Sequence, residues 1–397
     1  MHGMIYDFYE VIERRDTNSI KWTRYGKEVL PLWVADMDFR APPPVIAALS
    51  SAVEHGVFGY PAAHGPLAAA VAARMAMLYG WKVDPEWVVP VTGIVSGFYA
   101  AARALCPPAR PGYVIQPPVY MPFNDLEKHL GLVRQEAPLE RGKGVGPLEY
   151  VINWDLFDEA FGSRGAETGM FLLCHPHNPI GRSWDETSLR RMATTAVDKG
   201  AFIVSDEIHA ELLLGGARHR PLATLDPEIE KRSVTLVAPS KTFNIAGLFC
   251  GFAIIPDAAT RRSYEDTIER LTLHPASLAL TAAAAAYSGE CDDWLAELLG
   301  YLAANRDYVE GFVARELPSL RMTRPEATYL SWIDARGLGL DSPHGFFLEK
   351  ARVALNDGAA FGTGGAGFLR LNFGCPRATL EEALGRMAEA VSRIDGK

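Results

Sequence analysis

Lys241 is the residue around which chemistry first becomes readable in this sequence. It lies in Ser240-Lys241-Thr242-Phe243-Asn244-Ile245-Ala246-Gly247-Leu248, directly after the β-rich stretch 233–238. Asp206 closes a second apolar run that starts at Ala201, and Asn178 follows a third, Met170 to Cys174. Three polar groups thus follow three hydrophobic runs, and an α/β enzyme gathers its chemistry at the carboxyl ends of its strands. An amide, a carboxylate and a lysine are together the partners that pyridoxal 5′-phosphate (PLP) requires. One meets O3′, one meets the pyridinium nitrogen, and the amine forms the Schiff base.

Each group also has a plainer reading. Most lysines are solvated, but no charged side chain occurs from Thr242 to Phe252. Lys241 is therefore expected to be partly desolvated, with a lowered pKa suited to a nucleophile and base. Asp206 alone could cap a helix; beside a ring nitrogen its charge would keep that nitrogen protonated. Asn178 lies in His175-Pro176-His177-Asn178-Pro179-Ile180-Gly181, and Asn-Pro-x-Gly is in itself a turn signature. The same segment offers a His-x-His pair with His209 as a conceivable third metal ligand. No acidic or cysteine spacing supports such a site, and no metal is expected. Thr92-Gly93-Ile94-Val95-Ser96-Gly97 joins a strand to a helix, where free backbone N–H groups bind phosphate. Tyr120 follows a strand and could stack on a pyridine ring, or simply pack in a loop. Arg370, on a late strand, offers a fork for a carboxylate, or an internal salt bridge. Residues 362–367 match G-x-G-x-x-G, but they precede a strand-like run instead of opening a helix, which argues against a dinucleotide site.

The elements that must position these groups follow from the hydrophobic pattern. Apolar runs near 88–91, 113–116, 170–174, 201–205, 234–237 and 252–255 alternate with helical segments, notably 94–105 and 187–199. That alternation predicts an α/β fold with a mixed, mostly parallel sheet covered by helices. Beyond Pro256 the chain turns helical, His274-Pro275 breaks it, and 290–397 reads as a smaller α/β domain with strands at 328–333 and 368–372. The expected division is an N-terminal segment 1–45 packing with the small domain, a large cofactor-binding domain 46–288, and a small domain 289–397. A chain of 397 residues suits two cores. With 39 Lys and Arg against 48 Asp and Glu the net charge is −9, and no basic run occurs, so nucleic acid is not an expected partner. The five cysteines are widely spaced without a Cys-x-x-Cys, as in a reduced, cytoplasmic protein. The N-terminus carries no signal-peptide pattern, and no run is long and apolar enough for a membrane span.

Six segments in order carry a family resemblance over about Tyr6 to Arg393. They are Trp33-Val34-Ala35-Asp36-Met37-Asp38-Phe39, Phe58-Gly59-Tyr60-Pro61, Pro176-His177-Asn178-Pro179, Ser205-Asp206-Glu207-Ile208-His209, the Lys241 segment, and Arg370-Leu371-Asn372. The chain resembles the fold-type-I PLP enzymes of the aminotransferase superfamily, specifically the cystathionine β-lyase (C–S lyase) group of the MalY/PatB type. The resemblance implies that Lys241 holds PLP, Asp206 pairs with its ring nitrogen, Asn178 and His209 lie on the O3′ side, and Tyr120 stacks on the ring. It implies that the amides of Gly93, Ile94 and Val95, with Ser240, hold the phosphate, and that Tyr60 reaches the phosphate of the neighbouring subunit in a homodimer. Arg370 should clamp the carboxylate of an amino-acid substrate, with Ala35 and Asp36 on the substrate side. The implied reaction is β-elimination from cystathionine or a cysteine S-conjugate, giving thiol, pyruvate and ammonia. Alternatives are an aminotransferase on the same scaffold, with or without decarboxylation, and a regulatory protein that keeps the fold to bind a partner. Related aminotransferases carry a phosphate-facing arginine where this chain has Phe249, which tilts the reading toward the lyase. Phe249, Cys250 and His175 all depart from the family pattern.

Overall fold

The computed structural model describes residues 6–61, 65–144 and 146–395. Its main sheet has seven strands, ordered in space Val88–Val91, Gly251–Ile254, Ser233–Val237, Phe202–Asp206, Thr168–Cys174, Gly112–Ile115 and Val133–Glu136. Gly251–Ile254 runs antiparallel to both neighbours, and every other pairing is parallel. The chain is thus α/β with a mixed, mostly parallel sheet.

The continuous apolar strands follow from burial on both faces. Along Thr168–Cys174 successive side chains alternate between two cores. Met170, Leu172 and Cys174 join the core under the helices Ile94–Leu105 and Ala258–Leu271, with Phe98, Tyr264 and Ile268. Phe171 and Leu173 join the opposite core under Glu186–Asp198, with Leu189 and Met192. A strand with no solvated face is largely apolar, and Asp206, Asn178 and Lys241 come at or after such strand ends.

A second sheet of four antiparallel strands is ordered Arg321–Met322, Leu330–Asp334, Phe368–Asn372 and Asn356–Asp357. The long helices Asp292–Glu316 and Arg377–Asp395 pack with it through Leu298, Leu302, Leu380 and Leu384. Residues 1–40 carry two short elements. Among those described, Ile20–Thr23 is a short helix, and Leu30–Pro31 pairs in parallel with Val353–Ala354. That pairing depends on a partner more than 300 residues away in the chain, so no local pattern announces it. The break at His274-Pro275 separates the helices Ala258–Leu271 and Ser277–Ala286. The glycine-rich run 362–367 turns into Phe368–Asn372, and Thr363 Oγ1 donates to Glu136 Oε2 at 2.5 Å.

The two sheets are stitched together at Gly181. Its φ of 74° lies in the left-handed region, its carbonyl accepts from Glu326 N–H (2.8 Å) and Ala327 N–H (3.0 Å), and a Cβ there would fall 2.6 Å from Pro325 Cβ. Gly181→Ala is expected to cost about 1–3 kcal/mol through backbone strain and overpacking. Gly300 is the contrast: it lies within the helix Asp292–Glu316, and nothing would come within 4 Å of an added Cβ. Gly300→Ala should stabilise by about 0.5–1 kcal/mol. Thermal unfolding of both variants, moving the midpoint in opposite directions, checks the pair.

Candidate active site

Four strand ends meet at one cavity. Gly93 follows Val88–Val91 and opens the helix Ile94–Leu105, Asn178 lies just past Thr168–Cys174, Asp206 ends its own strand, and Lys241 sits on the short helix Pro239–Thr242 after Ser233–Val237. The cavity has a volume of about 840 Å³. Gly93, Ile94, Val95, Tyr120, Asn178, Asp206, His209, Ser240 and Lys241 line it, with Ala35 and Asp36 on another wall. Two of the expected residues do not line it. Tyr60 is fully exposed on the surface. Arg370 is buried behind the wall and reaches the site through Asn178.

The segment 33–39 is held by its backbone. Arg370 donates to Trp33 O (2.9 Å), and Asn372 Nδ2 donates to Val34 O and Asp36 O (2.6 Å each). Lys241 Nζ (2.6 Å) and the Tyr329 hydroxyl (2.8 Å) both donate to Ala35 O. Asn244, with φ of 54°, pairs both ways with the backbone, accepting from Met37 N–H and donating to Met37 O and Phe39 O. Asparagine tolerates that conformation. Fully buried Lys21 braces the same loop, donating to Asp36 O (3.1 Å) and Asp38 Oδ2 (2.6 Å), and Arg14 bridges Asp36 and Asp38.

Burial dominates the electrostatics. It lowers the Lys241 amine to about 8, with the nearby Asp36 and Asp206 charges resisting and the Arg370 charge assisting. It raises Asp206 to about 7, assisted by the neighbouring Glu207 charge, although Ile208 N–H donates to Oδ1 at 3.1 Å. His209 falls to about 3 through burial and the Lys241 and Arg370 charges, so its ring is neutral. Arg370 drops to about 10 by burial. Its guanidinium spends three hydrogen bonds on Asn178 Oδ1, Trp33 O and Asn356 Oδ1. Burial also raises the Tyr120 hydroxyl.

These residues fit PLP. Asp206 is a buried carboxyl without an ion-pair partner among the described residues, and a protonated ring nitrogen would supply the missing opposite charge. His209 Nδ1 is buried without a partner. Asn178 accepts from Arg370 through Oδ1, which leaves its NH₂ free to donate to a phenolic oxygen. The helix Ile94–Leu105 has no side-chain cap at Gly93, so its first N–H groups are available to a phosphate. Phe249 adjoins this end: its Cδ1 lies 3.9 Å from where a Gly93 Cβ would be. It is largely exposed and has φ of 54°.

The residues expected from sequence surround this cavity, apart from Tyr60 and Arg370. Sequence reasoning missed Tyr329 and the Lys21–Arg14–Asp38 brace. Only the acidic pair Asp36-x-Asp38 hinted at the brace, and nothing local marks Tyr329. His177 and His175 serve other contacts: His177 Nε2 meets Pro118 O at 2.9 Å, and His175 stacks on His219 at 4.3 Å.

Comparison with known proteins gives the family. The family model for aminotransferase class I and II matches residues 27–387. The cystathionine β-lyase PatB of Bacillus subtilis (strain 168) is 39% identical over 388 residues, covering 96% of this chain and 98% of that protein. The crystal structure of cystalysin from Treponema denticola, which contains a pyridoxal 5′-phosphate cofactor, superposes with a TM-score of 0.92 at 30% identity, covering 99% of this chain and 100% of that one. The crystal structure of OvoB superposes with a TM-score of 0.91 at 39% identity, covering 98% of this chain and 99% of that one.

An amine that titrates near 8 is neutral, and so nucleophilic, above that pH. When cofactor-free protein is mixed with PLP, the rate at which the visible absorbance band grows should rise with pH through about 8 and then level off. Lys241→Ala should give no such band. Stopped-flow absorbance checks both outcomes. Tyr329→Phe frees Ala35 O of one donor and should lower turnover by roughly ten-fold with cofactor content unchanged, as read from steady-state rates on cofactor-saturated enzyme.

Proposed function

The chain belongs to the aminotransferase class I and II family, within its cystathionine β-lyase group of the MalY/PatB type, and on that footing we propose that it breaks a carbon–sulfur bond by PLP-dependent β-elimination. The substrate class is L-cystathionine or another cysteine S-conjugate, and the products are a thiol, pyruvate and ammonia. The observation that carries the reading is the desolvated Lys241 amine, lowered to about 8 and held on Ala35 O beside the Asp206 carboxyl.

PLP, when bound, supplies an electrophilic carbon for the substrate amine and an electron sink for the Cα electrons. The rest falls to this chain. Asp206 would hold a proton at the ring nitrogen, and Asn178 and His209 would serve the O3′ side. Tyr120 would stack on the ring, and the amides of Gly93, Ile94 and Val95 would hold the phosphate with the Ser240 hydroxyl. Lys241 would take the Cα proton, and Ala35 O and Tyr329 keep its nitrogen in place. The electron pair left at Cα drives out the thiolate at Cβ, and water then releases pyruvate and ammonia. Arg370, which reaches the cavity wall through Asn178, would take the substrate α-carboxylate, with Ala35 and Asp36 on the substrate side. Phe249 in place of a phosphate-facing arginine supports elimination over transamination.

The catalytic unit in this reading is a homodimer. Tyr60, Phe58, Val57 and Val53 form an exposed apolar stretch, and Tyr60 is fully exposed, as a residue reaching a neighbouring subunit's phosphate would be. We further propose the division into 1–45, 46–288 and 289–397, supported by a seven-stranded sheet drawn from residues 88–254 and a four-stranded sheet drawn from 321–372. Among the described residues no helix is long and apolar enough to cross a membrane, and a cytoplasmic location fits the five unpaired cysteines.

With L-cystathionine, purified enzyme should release thiol and pyruvate in equal amounts. Keto-acid-dependent turnover without thiol would move the assignment to transamination. Arg370→Lys should raise KM for the amino acid by roughly ten-fold or more, because a point charge replaces a planar fork.

A further inference from the structure

Behind Asp206, on the side away from the cavity, lies a group of buried ionisable side chains that the reaction does not use. Glu207 is 2% exposed and accepts three hydrogen bonds: Ser205 Oγ (2.8 Å) and Leu222 N–H (3.1 Å) on Oε1, and His219 Nε2 (2.7 Å) on Oε2. The His219 ring stacks on His175, centroids 4.3 Å apart at 30°. His175 is fully buried, and both of its nitrogens are engaged. Nδ1 accepts from Trp184 N–H (3.4 Å), and Nε2 donates to Arg220 O (3.2 Å). Its backbone N–H donates to Asp206 O (2.9 Å).

These contacts close a loop around the two cofactor-facing groups. His175 begins the turn that carries Asn178, and through Trp184 N–H it holds the far side of that turn. Through the stack and the His219–Glu207 bond it also grips the residue next to Asp206. Burial pushes both histidines down to about 3 and Glu207 up to about 7, so the imidazoles are neutral. A buried polar set of this kind adds little net stability over apolar side chains of equal volume. What it provides, when its hydrogen bonds are made, is one fixed arrangement.

We propose that His175, His219 and Glu207 are positioning residues that fix Asp206 and Asn178 against each other and so set the orientation of the cofactor ring. His175, a departure from the small polar residue expected before Pro176, is then this chain's own means of bracing the site. The inference rests on the cofactor assigned above and not on which substrate bond is broken.

The test uses purified, PLP-saturated enzyme, with the visible circular dichroism of the bound cofactor recorded in the absence of substrate. Glu207→Gln keeps the side chain's shape. It should weaken the dichroic signal and lower kcat by roughly ten- to a hundred-fold, with KM within about two-fold. His219→Ala should do the same. His219→Gln, which keeps a donor toward Glu207, should recover most of the signal that His219→Ala loses. Unchanged dichroism and kcat in Glu207→Gln and His219→Ala, with only a lower unfolding midpoint, would overturn the proposal. If Glu207→Gln does not fold, the two His219 variants decide by the same readout. A protein that released no thiol would still report on the brace through its dichroism.

Discussion

The site depends on the peptide carbonyls of residues 33–37. A carbonyl oxygen has two lone pairs and no conformational freedom of its own. A short stretch of backbone here anchors four side chains from three distant parts of the chain: Lys241, Tyr329, and the pair Arg370 and Asn372. Two of these sit on a strand of the second sheet, and Lys241 follows a strand of the first. The loop therefore sets the distance between the sheets at the place where the chemistry occurs. Buried carbonyls carry a steep penalty if left unpaired, so loss of one donor disturbs the loop and, through it, the others. The loop is braced from outside by Lys21, whose burial is tolerable because Asp38 faces it at 2.6 Å.

Burial without neutralisation is the second constraint. Asp206 and Lys241 are each held where their charged forms are disfavoured, and Arg370 is lowered as well. A site built this way favours a ligand that brings a cationic ring nitrogen to one group and an electrophile to the other. The same desolvation keeps His209 neutral, with its Nδ1 buried and unpartnered among the described residues.

Much of this was legible in the sequence, for physical reasons that differ by residue. The sheet was readable because strands buried on both faces are largely apolar, and 168–174 and 233–237 have no exposed position. Lys241, Asp206 and Asn178 were readable because each polar group interrupts such a run at its end. Leu30–Pro31 was not, since its pairing with Val353–Ala354 is set by where two far parts of the chain meet. Tyr329 was hidden for the same reason: its phenol matters only through Ala35 O. Arg370 was readable as a guanidinium fork on a late strand. Its place behind the cavity wall and its three internal acceptors, which make it a strut between segments, are a matter of three dimensions.

The reversed strand Gly251–Ile254 has a mechanical consequence. Because it runs against its neighbours, its amino end arrives at the same rim where Ser233–Val237 ends. The chain that carries Lys241 thus leaves the sheet and re-enters it at adjacent strands, without crossing to the far edge. Lys241 rides on a short span clamped at both feet, closer to a bridge than to a free arm. Movement of its amine is left to rotations of its own methylene chain.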